Sequence, residues 1–288
     1  MKIFKIILLL ILVVFALIGA AFTFVYFGMQ NGVLNVKGTI VERNASFGSV
    51  PTTTQAIIDD TNGCREGMDQ NKPCEWYETA QWDVVQGGLK KDAAIIARVS
   101  AETGVDARII AASVVPEQIR FFSDNREVFK RYFEPLKLLA SLSQFSLGVS
   151  GIKQATAVTI ENNAHSTSSV FYTGEKDALL LAYTPEESKN PNALFDRLTN
   201  EKDHYYSYLY TALFLKQITA QWNSAGYDVS HRPDVLVTLF NLGFAASSPK
   251  ADPKVAGSAI TVGGQRYSFG YLGTLFFESD ELSAEFPK

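Results

Sequence analysis

The chain has 288 residues, of which 47% are hydrophobic and 19% are charged, and its formal net charge is −4. Domains that bind nucleic acid present a basic face, so this acidic balance argues against a nucleic-acid partner. The length and apolar content are sufficient for one domain with a full hydrophobic core.

The N-terminus carries a long apolar run behind a short basic tip. Lys2 and Lys5 precede an uncharged stretch over residues 6–28. About 20 apolar residues cross a bilayer, so residues 1–28 predict a cytoplasmic tip and a single transmembrane helix, through which the protein would contact the membrane. The basic tip favours a cytoplasmic N-terminus and a periplasmic or extracellular domain. Cleavage as a signal peptide, with secretion, is the alternative, since residues 19–21 (GAA) are small.

The next segment predicts a linker and a disulfide loop. Residues 29–55 begin with alternating apolar residues and become rich in Ser, Thr and Pro, which indicates a strand followed by a linker. Cys64 and Cys74 are the two cysteines of the chain, and they lie in a polar stretch rich in turn residues. Outside the cytoplasm they are expected to form a disulfide, which would stabilise the fold by about 2–3 kcal/mol. Residues 56–288 are expected to form the folded domain.

Two helices are predicted from about residue 90 onward. The first runs from Lys90 to Gly104, and the second begins at Asp106, which can cap it, and extends to residue 122. Pro116 lies inside the second helix and is expected to kink or end it. Glu117 is therefore predicted at a helix bend.

The remainder of the chain predicts further helices and one hairpin. The helical segments are 125–142, 151–164, an amphipathic stretch over 191–222, and 233–243. Near the C-terminus, the Gly-Gly pair at 263–264 separates two β-prone runs and predicts a hairpin over 258–277. The fold class is therefore predicted as α+β and mainly helical, with a few marginal strands.

Three short motifs occur in order along these elements. The first is the glutamate Glu117 in IIAASVVPEQIR, and the second is SLGVSGIKQ over residues 146–154, followed by ATA. The third is FNLG over residues 240–243. In this order they resemble motifs of the lytic transglycosylase and goose-type lysozyme superfamily, in which S-x-x-G-A-x-G-L-M-Q precedes A-Y-N-A-G. The Tyr-Leu pair at 208–209 is similar to the Y-L that precedes the last family motif.

The resemblance covers residues 90–245 and implies a lysozyme-like domain that cuts MurNAc–GlcNAc bonds in the glycan strands of peptidoglycan. In that family a single glutamate acts as acid and then as base, while a substrate hydroxyl closes a 1,6-anhydro ring. The resemblance implies Glu117 as the catalytic residue. The substrate-binding residues that it implies are Ser146, Gly151, Gln154, Phe240 and Asn241.

The chain departs from the family pattern in three ways. Gln118 stands where the family usually has serine, and Phe240 stands where it has tyrosine. The gap of 29 residues from Glu117 to Ser146 is longer than usual and requires an inserted helix.

The chemistry of glycoside cleavage gives an independent reason to consider Glu117. The leaving oxygen needs a proton, so the acid must stay protonated near neutral pH. Burial among apolar groups favours the protonated form of a carboxyl group, and Val114, Val115 and Ile119 are near neighbours in the sequence. The competing interpretation is a helix-end glutamate that pairs with Arg120 or faces water.

Two other functions remain open from the sequence. One is a non-catalytic wall-binding or assembly protein that keeps the same fold, and the other is a goose-type hydrolase that uses water. A hydrolase needs a second carboxylate, for which Asp124, Glu127, Glu134 and Glu161 are available although no motif selects any of them.

The histidines give no indication of metal chemistry. His165, His204 and His231 are far apart, match no metal-ligand spacing and are expected to face solvent. The sequence therefore predicts neither a metal nor a cofactor.

Overall fold

The computed structural model describes residues 63–69, 71–123 and 146–288, with a few residues of the N-terminal run. Those few, at 15–17, 19, 20 and 23, are helical. In the described part of the chain, no helix combines the length and apolarity needed to cross a membrane. Most of the predicted anchor, the predicted linker at 29–55 and the predicted helix at 125–142 lie outside the described residues.

The described residues form a mainly helical domain with two small hairpins, which confirms the predicted α+β class. The helices are α1 (Ala80–Thr103), α2 (Ala107–Ser123), α3 (Gln154–His165), α4 (Glu175–Leu180), α5 (Ala193–Leu198), α6 (Tyr205–Ser224), α7 (Pro233–Leu242) and α8 (Phe269–Glu278). The strands pair antiparallel as β1 (Ser146–Leu147) with β2 (Ile152–Lys153), and β3 (Ala259–Val262) with β4 (Gln265–Ser268). Short 3-10 turns occupy Trp76–Glu78, Glu187–Lys189 and Phe244–Ala246.

Helix α2 lies at the centre of the fold. It packs against α1, α6, α7, α8 and β3. Every residue from 108 to 119 is buried, so about three turns of the helix have no solvent-exposed face. A helix that is enclosed on all sides belongs to the core, and Glu117 is therefore carried into the interior.

The helix boundaries follow from their caps. Asp106 begins α2 as predicted, since its carboxylate accepts a hydrogen bond from the Arg108 backbone nitrogen at 2.7 Å. Helix α1 ends before Gly104 (φ 76°), also as predicted. It begins ten residues earlier than predicted, after a cap by Thr79. The Gly-Gly pair at 87–88 disfavours a helix in isolation, and packing of the buried face overrides that preference.

Pro116 does not end α2, contrary to one of the two predicted outcomes. The helix continues through it to Ser123. Proline has no N–H to donate to the carbonyl of Ala112, four residues earlier. Gly273 of α8 lies against that carbonyl, since a Cβ at Gly273 would be 2.6 Å from the Ala112 oxygen. The absence of a side chain at Gly273 lets α8 approach α2 where the ladder of hydrogen bonds is interrupted.

The predicted amphipathic helix over 191–222 is instead two helices, α5 and α6. Asn200 lies in the loop between them, and its side-chain oxygen accepts hydrogen bonds from the backbone nitrogens of Lys202 and Asp203. Such local bonds compete with helical ones and favour a turn. Helix α6 is buried on nearly all sides rather than amphipathic, because α1, α2, α3, α5 and α7 surround it.

The C-terminal hairpin predicted over residues 258–277 is confirmed for residues 259–268 and wrong for residues 269–277, which are helical. Gly263 and Gly264 have φ values of 61° and 72°, as a two-residue hairpin turn requires. Strand β4 ends at Ser268, whose hydroxyl caps α8. Phe269, Leu272 and Phe276 are buried, and their helical spacing explains why the apolar run over 269–277 forms a helix.

The Cys64–Cys74 disulfide is present as predicted. The Cys74 backbone nitrogen donates a hydrogen bond to the Gly263 carbonyl at 2.9 Å. A Cβ at Gly263 would overlap the Cys74 carbonyl oxygen. The disulfide loop is thus attached to the β3–β4 turn.

Arg108, near the start of α2, binds the C-terminal segment through hydrogen bonds. Its side chain is fully buried. It donates hydrogen bonds of 2.5–3.2 Å to the backbone carbonyls of Phe276, Phe277, Ser279, Glu281 and Phe286. The guanidinium therefore binds two carbonyls in the last turn of α8, where helical partners run out, and three carbonyls in the segment that follows.

Replacing Arg108 by methionine is expected to lower the free energy of unfolding by about 3 kcal/mol or more, because buried carbonyls lose their donors. Arg98→Met is the matched control, since Arg98 is exposed and pairs with Glu102 one turn away; its effect should be about 1 kcal/mol or less. Urea unfolding of both variants tests this, and equal effects would contradict the role assigned to Arg108.

A second buried guanidinium belongs to Arg197 of α5. It is 4% exposed, pairs with Glu187 at 2.8 Å and lies over the rings of Tyr183 and Tyr206. Its hydrogen bonds lower the pKa of Glu187 from 4.5 to about 2. A carboxylate with a depressed pKa stabilises the fold above its unfolded pKa, and this contribution is lost as the pH falls through the folded value.

Glu187→Gln should therefore lower stability at pH 7, and the difference from the natural protein should shrink as the pH falls from about 4.5 toward 2. The exposed neighbour Glu186 provides the control variant Glu186→Gln. Urea unfolding at a series of pH values measures both differences. A Glu187→Gln difference that stays constant over this range would contradict the assignment.

Candidate active site

Glu117 and Gly151, taken from the first two sequence motifs, are in direct contact. Glu117 is 4% exposed and projects from the buried part of α2. Gly151 has φ +67°, and a Cβ built on it would overlap the Glu117 carboxyl oxygen and lie 2.6 Å from Glu117 Cγ. Only glycine leaves room for the carboxyl group at this point. The structure thus brings the predicted acid against the predicted glycine-rich turn.

The turn that carries Gly151 joins β1 to β2 and is held from the side of α6. A Cβ at Gly148 would overlap the Leu198 carbonyl oxygen and the Ser207 hydroxyl. The Ser150 hydroxyl donates a hydrogen bond to the Ser207 carbonyl at 2.7 Å. The backbone of the turn therefore packs between α2 and the start of α6.

Gln118, a departure from the family motif, holds the same turn from the side of α2. Its side-chain amide donates a hydrogen bond to the Val149 carbonyl. Gln118 is 1% exposed, and a buried amide requires such a partner. Sequence reasoning missed this role, although a polar residue next to Glu117 in an apolar run was a signal for it.

The carboxylate of Glu117 is paired with Arg120. One guanidinium nitrogen, Nη2, lies 2.9 Å from Oε1 and 2.8 Å from Oε2. Val114, Val115 and Ile119 are buried around this part of the helix. The predicted apolar setting is therefore present together with a cation, which was the competing interpretation of the sequence.

Three further predicted binding residues, Ser146, Gln154 and Asn241, lie on other elements. Ser146 begins β1, and Gln154 is the half-buried first residue of α3. The Asn241 side-chain oxygen accepts hydrogen bonds from the Ser258 backbone nitrogen at 2.8 Å and its hydroxyl at 3.1 Å. Within the described ranges, neither Gln154 nor Asn241 is hydrogen-bonded to Glu117.

Phe240 is half-buried at the end of α7 and packs in a group of rings. Its ring centroid is 5.6 Å from that of Phe214 and 6.5 Å from that of Phe269. Phe240 therefore contributes to the junction of α6, α7 and α8. Since α7 also packs on α2, the third motif lies on an element adjacent to the helix that carries Glu117.

Glu161, one of the candidate second carboxylates, accepts hydrogen bonds from two tyrosines. The hydroxyls of Tyr183 and Tyr210 both donate hydrogen bonds to Glu161 Oε1. Burial, and then the bond to Glu161, raise the pKa of Tyr183 to about 12. The phenol therefore remains a donor at neutral pH. The other three candidates lie outside the described residues.

The expectation of solvent-facing histidines is wrong for His204. His165 and His231 are exposed, whereas His204 is 4% exposed and its Nδ1 lies 2.6 Å from Asp92 Oδ2. The same oxygen accepts the Tyr208 hydroxyl at 2.7 Å. Asp92 supplies a buried partner from α1, and no pattern in the sequence indicates that α1 meets α6 there.

Comparison with protein-family models, curated proteins and solved structures finds no match to this chain. In the described part of the chain, no group of three or more His, Cys, Asp or Glu side chains could hold a metal ion. The geometry around Glu117 is therefore the observation that indicates a site.

Gly151→Ala is expected to lower the free energy of unfolding by about 2–5 kcal/mol, which combines the penalty of a positive φ with overpacking. Gly104→Ala is the matched control, because Gly104 has φ +76° and no atom within 4 Å of the added Cβ. It should lower stability by only about 1–2 kcal/mol. Chemical denaturation of both variants gives the difference.

A double-mutant cycle measures the clash between the Glu117 carboxyl group and a Cβ added at position 151. In a Glu117→Ala background the carboxyl is gone, so Gly151→Ala should cause no larger loss than Gly104→Ala. Additive effects of the Glu117 and Gly151 substitutions would show that the two residues are not in contact.

Proposed function

We propose that this protein is a membrane-anchored enzyme with a lysozyme-like domain that cuts MurNAc–GlcNAc bonds of peptidoglycan, with Glu117 as acid and base. The observation that carries the proposal is the contact between Glu117 and Gly151. Glu117 and Gly151 are 34 positions apart in the sequence and belong to different motifs of the resemblance, yet they meet at one carboxyl group.

A mechanism with one carboxylate agrees with the surroundings of Glu117. As an acid, Glu117 donates its proton to the leaving O4 oxygen as the bond from C1 to that oxygen breaks. The substrate's own C6 hydroxyl then bonds to C1 and returns a proton to Glu117, so no water is consumed. Glu161 is held by two tyrosine hydroxyls, which argues against its use as a second catalytic carboxylate.

The other motif residues have binding roles in this proposal. Gly151 lets the backbone of the turn lie directly against the Glu117 carboxyl group, and a sugar bound at the carboxyl would lie beside this backbone. Gln154 is half-buried at the start of α3, and it and Ser146 would hydrogen-bond the glycan. The Asn241 side-chain oxygen is held by Ser258, so its amide nitrogen would be the group that donates to a sugar. Phe240 would support Asn241 by fixing the end of α7.

The disulfide supports a location outside the cytoplasm. Stable disulfides form in oxidising compartments, and Cys64 is bonded to Cys74. An exported domain tethered by residues 1–28 would lie at the membrane surface, beside the cell wall. The peptidoglycan strands would be its substrate and the membrane its point of attachment.

A non-catalytic wall-binding protein is the second candidate, and the ion pair of Glu117 with Arg120 favours it. A carboxylate fixed by a neighbouring cation is a common structural feature and needs no catalytic role. On that hypothesis the turn at Gly151 would bind glycan strands without cutting them.

Digestion of purified glycan strands by the full-length chain distinguishes these functions. Mass spectrometry of the products should show 1,6-anhydro ends, and Glu117→Gln should lower the rate by about 100-fold or more, as for loss of an acid–base group. Glu186→Gln, at an exposed carboxylate, is the matched control and should keep full activity.

The remaining outcomes separate the alternatives. Reducing ends in place of anhydro ends would identify a hydrolase that uses water. Strands that bind but are not cut by the natural protein would identify the non-catalytic binder. Thermal unfolding of Glu117→Gln checks that the variant is folded.

A further inference from the structure

Arg120 is more exposed to solvent than its partner Glu117. Its side chain is 14% exposed, whereas that of Glu117 is 5% exposed. The two residues are one turn apart on α2, near the end of its buried part. The guanidinium is therefore the more accessible member of the ion pair for a ligand from solvent.

Part of the hydrogen-bonding capacity of the Arg120 guanidinium is unsatisfied. Both contacts to Glu117 are made by the single nitrogen Nη2. The Nε–H group is buried and has no hydrogen-bond partner among the described residues. An unpaired buried donor is unfavourable, so an acceptor that reached Nε would remove that penalty.

The geometry of arginine links this unused donor to the Glu117 contact. Nε and Nη2 form one edge of the planar guanidinium, and a carboxylate binds such an edge through two parallel hydrogen bonds. A carboxylate bound at this edge would use Nη2, the nitrogen that now holds Glu117. Because Glu117 contacts Nη2 with both of its carboxyl oxygens, the incoming carboxylate and Glu117 would compete for the two N–H groups of this nitrogen.

We propose that Arg120 recognises a carboxylate on the glycan and that this carboxylate displaces Glu117 from Arg120. The site would then select glycans that carry a carboxylate over uncharged ones. The carboxylate could belong to the lactyl group of a peptide-free muramic acid or to a stem peptide. The effect on cleavage depends on the proposed function, whereas the binding preference does not.

Binding by the full-length chain to three probes tests the preference. The probes are chitotetraose, which is uncharged, a peptide-free tetrasaccharide of alternating GlcNAc and MurNAc, and the same tetrasaccharide with stem peptides. Titration calorimetry with the Glu117→Gln variant prevents cleavage and removes the competing carboxylate. This variant should prefer a carboxylate-bearing probe to chitotetraose by about tenfold or more, in line with a charge-assisted pair.

Substitutions of Arg120 in the Glu117→Gln background identify the residue responsible. Arg120→Gln should abolish the preference, and Arg120→Lys should keep part of it, because lysine retains the charge without the planar edge. Arg98→Gln, at an exposed arginine, is the control and should keep the full preference. Thermal unfolding verifies that each variant is folded. If Arg120→Gln does not fold, the reduced preference expected of Arg120→Lys still tests the role of Arg120.

The outcomes separate this inference from the proposed function. An undiminished preference in both Arg120 variants, or no preference in Glu117→Gln, would overturn the role of Arg120 even if the natural protein cuts glycan strands. An Arg120-dependent preference without any cleavage would support the anion site and reject the enzyme. A preference limited to the peptide-bearing probe would place the carboxylate on the stem peptide.

Discussion

The space beside the Glu117 carboxyl group admits only a hydrogen atom at position 151, and this constraint fixes how α2 meets the β1–β2 turn. The contact is supported from both sides. Gln118 donates to the backbone of the turn from α2, and Ser150 donates to the start of α6. The position of the carboxyl group is therefore set by backbone packing on three elements rather than by one flexible side chain.

The same buried helix also organises the rest of the domain. Arg108 near its start binds the carbonyls that follow α8, while Glu117 and Gln118 near its other end contact the turn. Between them, Pro116 interrupts the helical hydrogen bonds, and Gly273 lets α8 approach the Ala112 carbonyl there. The two ends of α2 therefore have different neighbours. A change at one end therefore affects the C-terminal segment, and a change at the other affects the candidate site.

Local sequence signals predicted much of the fold. Asp106 as a helix cap, Gly104 as a helix end, the Gly-Gly turn at 263–264 and the Cys64–Cys74 disulfide were all predicted correctly, because each depends on a few adjacent residues. The errors have different causes. At the start of α1, packing of the buried face overrides the local preference of the Gly-Gly pair. The division between α5 and α6 follows local hydrogen bonds of Asn200, and the helix over residues 269–277 follows the spacing of its buried residues; both are local signals that the prediction missed.

For the candidate site, the sequence by itself determined that Glu117 lies in an apolar helix and that a glycine-rich turn precedes α3. Only the tertiary structure decided that Gly151 touches Glu117, that Gln118 secures the turn and that His204 is buried against Asp92. The physical reason is that residue types and spacing specify single elements. The partners of a buried polar group are chosen by which elements meet, since desolvation requires a partner but does not say where in the chain it will be found.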